Sequence, residues 1–135
     1  MNDSWLMSGI KIIQKNRLVC IVVILFFSKN SYSINCDKAI TFSEKSICGD
    51  DVLMLLDKTM NLYYKSMLGS NIGLGAHEKL KATQRQWLLE RNRCVNKECV
   101  FDLYKSRLGN ICDYPVITGV HPVCDDYDAV IKSLK

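Results

Sequence analysis

The cysteines are the residues of this chain whose chemistry is best defined by their number and spacing. An even number of cysteines in an exported domain indicates disulfides, and the N-terminal segment described below predicts export. Sequence alone does not choose among the pairings, but the spacings favour three local bridges, 36–48, 94–99 and 112–124. Six cysteines follow residue 33, namely Cys36, Cys48, Cys94, Cys99, Cys112 and Cys124.

A metal site is the competing interpretation of these cysteines, with His77 or His121 as a further ligand. The sequence contains no CxxC pair, and an oxidising compartment favours disulfides over thiolate ligands. We therefore expect no metal and no other cofactor.

Catalytic motifs give little support for an enzyme. The chain contains neither G-x-S-x-G nor H-E-x-x-H, which are the patterns of common hydrolases. Composition leaves open a glycosidase-like pair of carboxylates, but the acids lie mainly at expected helix starts, where capping accounts for them. The prediction is that the protein is not an enzyme and has no catalytic residue.

Residues 1–33 have the pattern of a secretory signal peptide. Lys11, Lys15 and Arg17 precede an apolar run over residues 18–27, and small residues follow at Ser31 and Ser33. Ten apolar residues are too few for a membrane span, which needs about 20. We therefore expect a periplasmic or secreted protein without a stable membrane anchor, and translation from Met1 or from Met7 stays open.

The remaining 102 residues form one small domain with little net charge. They contain 14 basic and 13 acidic residues, a net charge of +1, so most of the excess positive charge belongs to residues 1–33. Charges of both signs are interspersed along the chain. This pattern predicts no nucleic-acid partner, because such binders carry a dense positive field.

Helical periodicity dominates the first half of this domain. Thr41 and Glu44 have the spacing of a capping box before a short helix that Gly49 ends, and Asp50 or Asp51 can cap a longer one. Residues 69–75 are then a flexible connection, whose apolar Ile72 and Leu74 are candidate partner-binding residues. The long helix has an apolar face that we expect in the core, made of Leu53, Leu56, Met60, Tyr63, Tyr64 and Met67.

Residues 80–94 predict a central core helix. Leu80, Trp87 and Leu88 share one face, with Gln84 and Arg91 alongside, at spacings of three and four. Residues 97–110 predict the next helix, ending near Gly109. Cys94 and Cys99 would rise about 7.5 Å on a continuous helix, beyond disulfide reach, so their bridge requires a break, with Asn96 capping the following helix.

The tail predicts a disulfide-closed loop between Cys112 and Cys124, followed by a short helix capped by Asp125 or Asp126. A closed loop costs less ordering entropy on binding than an open one. The alternative is a covalent clamp that only holds the last helix. The candidate partner-binding residues of the loop are Tyr114, Ile117, Val120 and His121.

These elements predict an all-α fold, a small disulfide-stapled antiparallel helical bundle with a C-terminal stapled loop and short helix. We expect a signal peptide over residues 1–33, a helical domain over residues 34–111, and residues 112–135 packed on the same domain.

Two motifs resemble the LprI-like lysozyme-inhibitor domain family. Glu44-Lys45-x-Ile47-Cys48 and Gln84-Arg85-x-Trp87-Leu88-x-x-Arg91-x-x-Cys94 occur in the family's order, followed by Cys99 and Tyr104. The resemblance covers about residues 35–108. It implies a small all-α exported bacterial protein that binds a lysozyme and needs no cofactor.

The same resemblance implies that the motif residues are scaffold rather than inhibitory site. They are Glu44, Gln84, Arg85, Trp87, Leu88 and Arg91. A non-inhibitory binding or structural module of the cell envelope is the alternative function.

Overall fold

The computed structural model describes residues 34–122 and 124–134, so the predicted signal peptide lies outside the described residues. Within them the chain forms helices and no strand, and three disulfides join the segments. A short 3-10 turn, Cys36–Lys38, precedes five helices, which are α1 (Phe42–Cys48), α2 (Asp51–Gly69), α3 (Leu74–Arg93), α4 (Lys97–Cys112) and α5 (Tyr127–Lys132). The prediction of a small all-α disulfide-stapled bundle is therefore confirmed.

Side-chain caps define the start of each of the first two helices. The Thr41 hydroxyl accepts from the Glu44 amide at 3.2 Å, and the Glu44 carboxylate accepts from the Thr41 amide at 3.0 Å. The backbone hydrogen bond from Thr41 holds the pKa of Glu44 below its usual range. Asp50 caps α2, and its hydrogen bond with Lys97 at 2.9 Å lowers the pKa of Asp50.

The disulfides close the pairs that the sequence spacing favours, 36–48, 94–99 and 112–124. Cys94 and Cys99 have Cα atoms 5.6 Å apart because the helical path breaks between α3 and α4. Asn96 caps α4 as predicted, accepting from the Cys99 amide at 2.8 Å. The bridge thus fixes the corner between two consecutive helices.

The core lies between α2 and α4, and the predicted apolar face of α2 is buried throughout. The backbone of α2 packs closely against α1, α4 and α5, whereas α3 approaches mainly α1 and α4. The burial of Leu80, Gln84, Trp87 and Arg91 confirms that residues 80–94 lie in a core helix. The centre of the bundle is nevertheless the α2–α4 pair, and the buried face of α3 is partly polar.

Two details of the helices also differ from prediction. Helix α4 does not end near Gly109 but continues to Cys112, because buried Ile111 and the disulfide at Cys112 hold its last turn. Arg85 is exposed and therefore does not contribute to the core as scaffold. None of the helices within residues 34–122 and 124–134 is long and apolar enough to cross a membrane.

Trp87 joins α3 to α4 through a hydrogen bond and an aromatic contact. Its indole N–H donates to the Leu103 carbonyl at 3.1 Å, and its ring meets the Tyr104 ring edge-on at 5.2 Å between centroids. The Arg91 guanidinium lies 5.5 Å from the indole centre, within the range of a cation–π contact.

Replacing Trp87 with Ala should lower the free energy of unfolding by about 3–5 kcal/mol, because the change empties a buried site between two helices. Urea unfolding followed by far-ultraviolet circular dichroism measures this loss. Leu89→Ala is the control, since Leu89 is exposed on the same helix and its truncation should cost less than about 0.5 kcal/mol. Equal losses in the two variants would contradict the core role of Trp87.

Candidate partner-binding surface

The loop between Cys112 and Cys124 is held to the α2–α3 connection by hydrogen bonds as well as by its disulfide. The Ile117 amide donates to the Asn71 carbonyl at 2.8 Å, and the Asn71 side-chain amide donates to the Thr118 hydroxyl at 2.6 Å. The Tyr114 hydroxyl donates to the Ala76 carbonyl at 3.0 Å. The two connections therefore support each other at one end of the bundle.

Glycine is required where these connections meet. Gly73 has φ of 84°, and a Cβ there would lie 2.9 Å from the Ile117 Cδ1 atom. The left-handed backbone strains any residue larger than glycine at this position, whereas the close contact is with the movable end of the exposed Ile117 side chain. Ile117 is thus seated beside the first turn of α3.

Three apolar side chains are exposed at this end of the bundle, Leu74 at the start of α3 and Ile117 and Val120 on the disulfide-closed loop, and we call these three residues the loop surface. Val120 is 90% exposed. Large exposed apolar side chains on restrained backbone are candidates for contact with another protein. The structure therefore leaves Leu74, Ile117 and Val120 accessible to a partner.

The other sequence-predicted binding residues lie differently. Ile72 is only 3% exposed and packs in the core, so its prediction as a partner-binding residue is wrong. Tyr114 is half-buried, and its hydroxyl is used within the protein. His121 is exposed, with its Nε2 atom 2.9 Å from the Tyr114 carbonyl and its Nδ1 atom 2.9 Å from the Pro122 carbonyl. Tyr114 and His121 thus hold the conformation of the loop through contacts within the protein.

A groove of about 330 Å³ lies between α3 and α4, and Tyr114 forms one of its walls beside the stapled loop. Trp87 and Arg107, which are both largely buried, also line this groove. The remaining lining residues are Thr83, Gln86, Glu90, Leu103, Ser106 and Asn110. Apolar and polar groups thus share the groove, which is a common composition for a ligand site.

Arg107 brings a positive charge to the floor of this groove. It is 6% exposed, and its Nε and Nη2 atoms both donate to the Gln84 amide oxygen, at 3.0 and 2.8 Å. Burial lowers the pKa of Arg107, yet a guanidinium keeps its charge near neutral pH. Among the described residues no carboxylate lies within ion-pair distance of Arg107.

Arg107 lies in the last turns of α4, where an exposed basic side chain would interact favourably with the helix dipole. The structure buries it instead, because its position follows Tyr104 by three and precedes Leu108 on the apolar face of α4. The helical spacing of Arg107 relative to Tyr104 and Leu108 is the sequence signal from which its burial could have been predicted. An arginine on the apolar face of a helix requires partners inside the protein.

Asp57 is the second polar residue that the sequence pattern does not reveal. Its carboxylate is fully buried, accepting from the Tyr104 hydroxyl at 2.8 Å and from Arg91 Nη1 at 3.5 Å. Asn61 and the backbone nitrogen of Ile34 donate to its other oxygen, each at 3.2 Å. Burial raises the pKa of Tyr104, so this phenol remains a hydrogen-bond donor. The cluster is enclosed and complementary, as expected of a structural site.

Metal-ligating side chains do not converge in the described part of the chain, where no group of three His, Cys, Asp or Glu residues could hold an ion. The six cysteines after residue 33 are all in disulfides. The candidate site is therefore the loop surface with the adjoining groove.

Comparisons with protein-family models, with curated proteins and with solved structures find no match to this chain. The resemblance to the LprI-like family accordingly stays a prediction from the two sequence motifs.

Replacing both Cys112 and Cys124 with Ser should leave the bundle folded while loosening the stapled loop, because individual hydrogen bonds and the packing of Tyr114 and Val116 remain as its attachments. We expect unchanged helical content and a loss of about 2–4 kcal/mol in the free energy of unfolding. Hydrogen exchange at the Ile117 amide should accelerate, since that group bonds to Asn71 across the paired connections.

Ser replacement of Cys36 and Cys48 provides the control, because that bridge lies at the other end of the described chain. It should leave exchange at the Ile117 amide close to that of the unaltered protein when both are folded. Global unfolding of the Cys112/Cys124 variant would show instead that the tail is indispensable to the core.

Proposed function

We propose that this chain is an exported protein, periplasmic or secreted, that binds and blocks a peptidoglycan-cleaving lysozyme. The observation that carries the proposal is the loop surface, where Leu74 at the start of α3 and Ile117 and Val120 on the disulfide-closed loop are exposed, with the loop bonded to the α2–α3 connection. The identity of the partner comes from the family resemblance. Three disulfides support an oxidising compartment, which export would supply.

A fixed loop suits inhibition because it enters a partner's cleft without first being ordered. Immobilising a free side chain on binding costs about 0.5–1.5 kcal/mol, and ordering a loop adds to this. Here the disulfide and the contacts to Asn71 and Ala76 restrict the loop before binding. The apolar side chains then contribute their burial to affinity.

Electrostatic attraction should contribute little. Residues after position 33 carry a net charge of +1, whereas many lysozymes are strongly cationic. Of the acids near the last helix, Asp125 is bonded to the Tyr63 hydroxyl and Asp126 caps α5. Inhibition should therefore depend only weakly on ionic strength and come mainly from apolar contact.

Replacing Val120 with Asp should raise the inhibition constant at least about tenfold, since a charge would have to be buried in an apolar contact. The measurement is peptidoglycan lysis by a panel of lysozymes, with increasing amounts of the oxidised protein. The unaltered protein should give saturable loss of activity at a fixed stoichiometry.

Val95→Asp is the matched control for this substitution. Val95 is 80% exposed and also lies in a segment closed by a disulfide, but in the α3–α4 corner. It should inhibit like the unaltered protein. Equal weakening by both variants would contradict the loop surface as the contact. Lysis unaffected by the folded protein for every lysozyme would overturn the inhibitor proposal.

A second candidate function, favoured by the groove, is binding of a carboxylate-bearing cell-wall component without inhibition. Arg107 is a buried cation without a carboxylate partner among the described residues. Its Nη1 atom is 3.5 Å from the Thr83 hydroxyl, which is a long hydrogen bond, so this guanidinium has donor capacity left for a ligand in the groove that it lines. The carboxylates of peptidoglycan stem peptides have the charge and planar geometry that a guanidinium binds.

A soluble peptidoglycan fragment with free carboxylates should change the fluorescence of Trp87, which lines the groove and is the one tryptophan after residue 33. The same fragment with amidated carboxylates should bind at least about tenfold more weakly. Arg107→Gln should abolish the difference, whereas Arg85→Gln, at an exposed position of α3, should preserve it. Equal binding of both fragments by the unaltered protein would exclude a carboxylate site, whether or not the Arg107 variant folds.

A further inference from the structure

The first described residue of the chain is bonded to its buried acid. The backbone nitrogen of Ile34 lies 3.2 Å from Oδ2 of Asp57, whose side chain has 0% exposure. The Ile34 side chain is itself partly buried against the core. Ile34 is also the residue that follows Ser33, where the sequence predicts signal-peptide cleavage.

The remaining partners of Asp57 leave a place for a second cation. Its Oδ1 atom accepts a hydrogen bond from Tyr104, and Arg91, the one cation paired with it among the described residues, is 3.5 Å away. Among the residues that the structure describes, its Oδ2 atom accepts from Asn61 and Ile34, whose groups are neutral amides in the uncleaved chain. A buried carboxylate gains more from a charged donor than from a neutral one.

We propose that cleavage after Ser33 converts the Ile34 nitrogen into an α-ammonium that forms a buried ion pair with Asp57. A signal peptidase hydrolyses the Ser33–Ile34 bond with one water, leaving a carboxylate on Ser33 and an amine on Ile34. The amine binds a proton from solvent, because α-amino groups titrate at about 7.7–8.0. Processing thereby completes the charge cluster that joins α2, α3 and α4.

The ion pair makes the stability of the domain depend on a free amino group at one position. In the precursor, the same nitrogen is an amide that donates one neutral hydrogen bond. A single additional residue before Ile34 would restore that amide, so the nitrogen beside Asp57 would again be neutral. This inference rests on the predicted signal peptide and is independent of the lysozyme and groove proposals.

The first test is the N-terminus of the protein exported from cells that express the full chain. Mass spectrometry of the processed protein should give Ile34 as the first residue. A mature protein that starts at any other residue would overturn the proposal, because the α-amine would then lie away from Asp57.

The second test compares thermal unfolding of the exported protein with that of a chain that begins at Ser33. We expect the Ser33 chain to melt at least about 4 °C lower, the shift of a modest stability change in a domain of this size. Asp57→Asn should remove the difference between the two chains. Asp51→Asn should preserve it, because Asp51 is an exposed acid at the start of the same helix. Equal melting temperatures of the two unaltered chains would overturn the ion pair.

Chemical reactivity gives a measurement that does not need the Asp57 variant to fold. Acylation near neutral pH labels free α-amines in preference to lysines. The Ile34 amine of the folded exported protein should label at least about tenfold more slowly than the same amine in denaturant, because it is bonded to a buried carboxylate. Equal labelling rates would contradict the proposal.

Discussion

The buried carboxylate of Asp57 is the constraint that fixes how α2, α3 and α4 meet. Removing such a charge from water costs several kcal/mol, and the cost is recovered only when its donors are in place. Two of those donors are Arg91 of α3 and Tyr104 of α4, so a shift of either helix by one residue would remove a donor from Asp57. A purely apolar contact would tolerate such a shift more readily. The register of the bundle therefore follows from one acid.

Helix α3 shows why this constraint is needed. Only Leu80 and Trp87 give it large buried apolar side chains, and the rest of its inner face is Gln84 and Arg91. Gln84 donates to the Met60 sulfur at 3.4 Å and accepts from Arg107, which extends the polar contacts from α2 to α4. Polar donors and acceptors have preferred directions. The helix is consequently placed by hydrogen bonds as much as by burial, and the groove beside it has a defined shape.

The parts of this fold that the sequence predicts are those decided by neighbouring residues. Thr41 with Glu44, and Asn96 with the Cys94–Cys99 bridge, are specified within five positions of the chain. Asp57, Arg107 and Ile72 escape prediction because their environment comes from distant segments. Ile72 lies in a glycine-containing connection, which indicates a loop, but the pairing of Asn71 with Thr118 turns it inward. For the candidate site, the sequence pattern identifies Ile117 and Val120, which are exposed. It does not identify Arg107 as the charged residue of the groove, because that groove forms only when α3 packs on α4.

The motif residues are mostly buried and the loop is exposed, so a resemblance in the motif indicates a shared fold more directly than a shared binding partner. Of the motif residues, Gln84, Trp87 and Arg91 are buried and bonded inside the protein. Their side chains are engaged within the protein, so they hold the bundle together whatever the bundle binds. Residues that do meet a partner must lie on the surface, and the stapled loop is outside the region of resemblance. Two proteins with the same motif could thus share the scaffold and differ in target, because the loop can change without disturbing the Asp57 cluster.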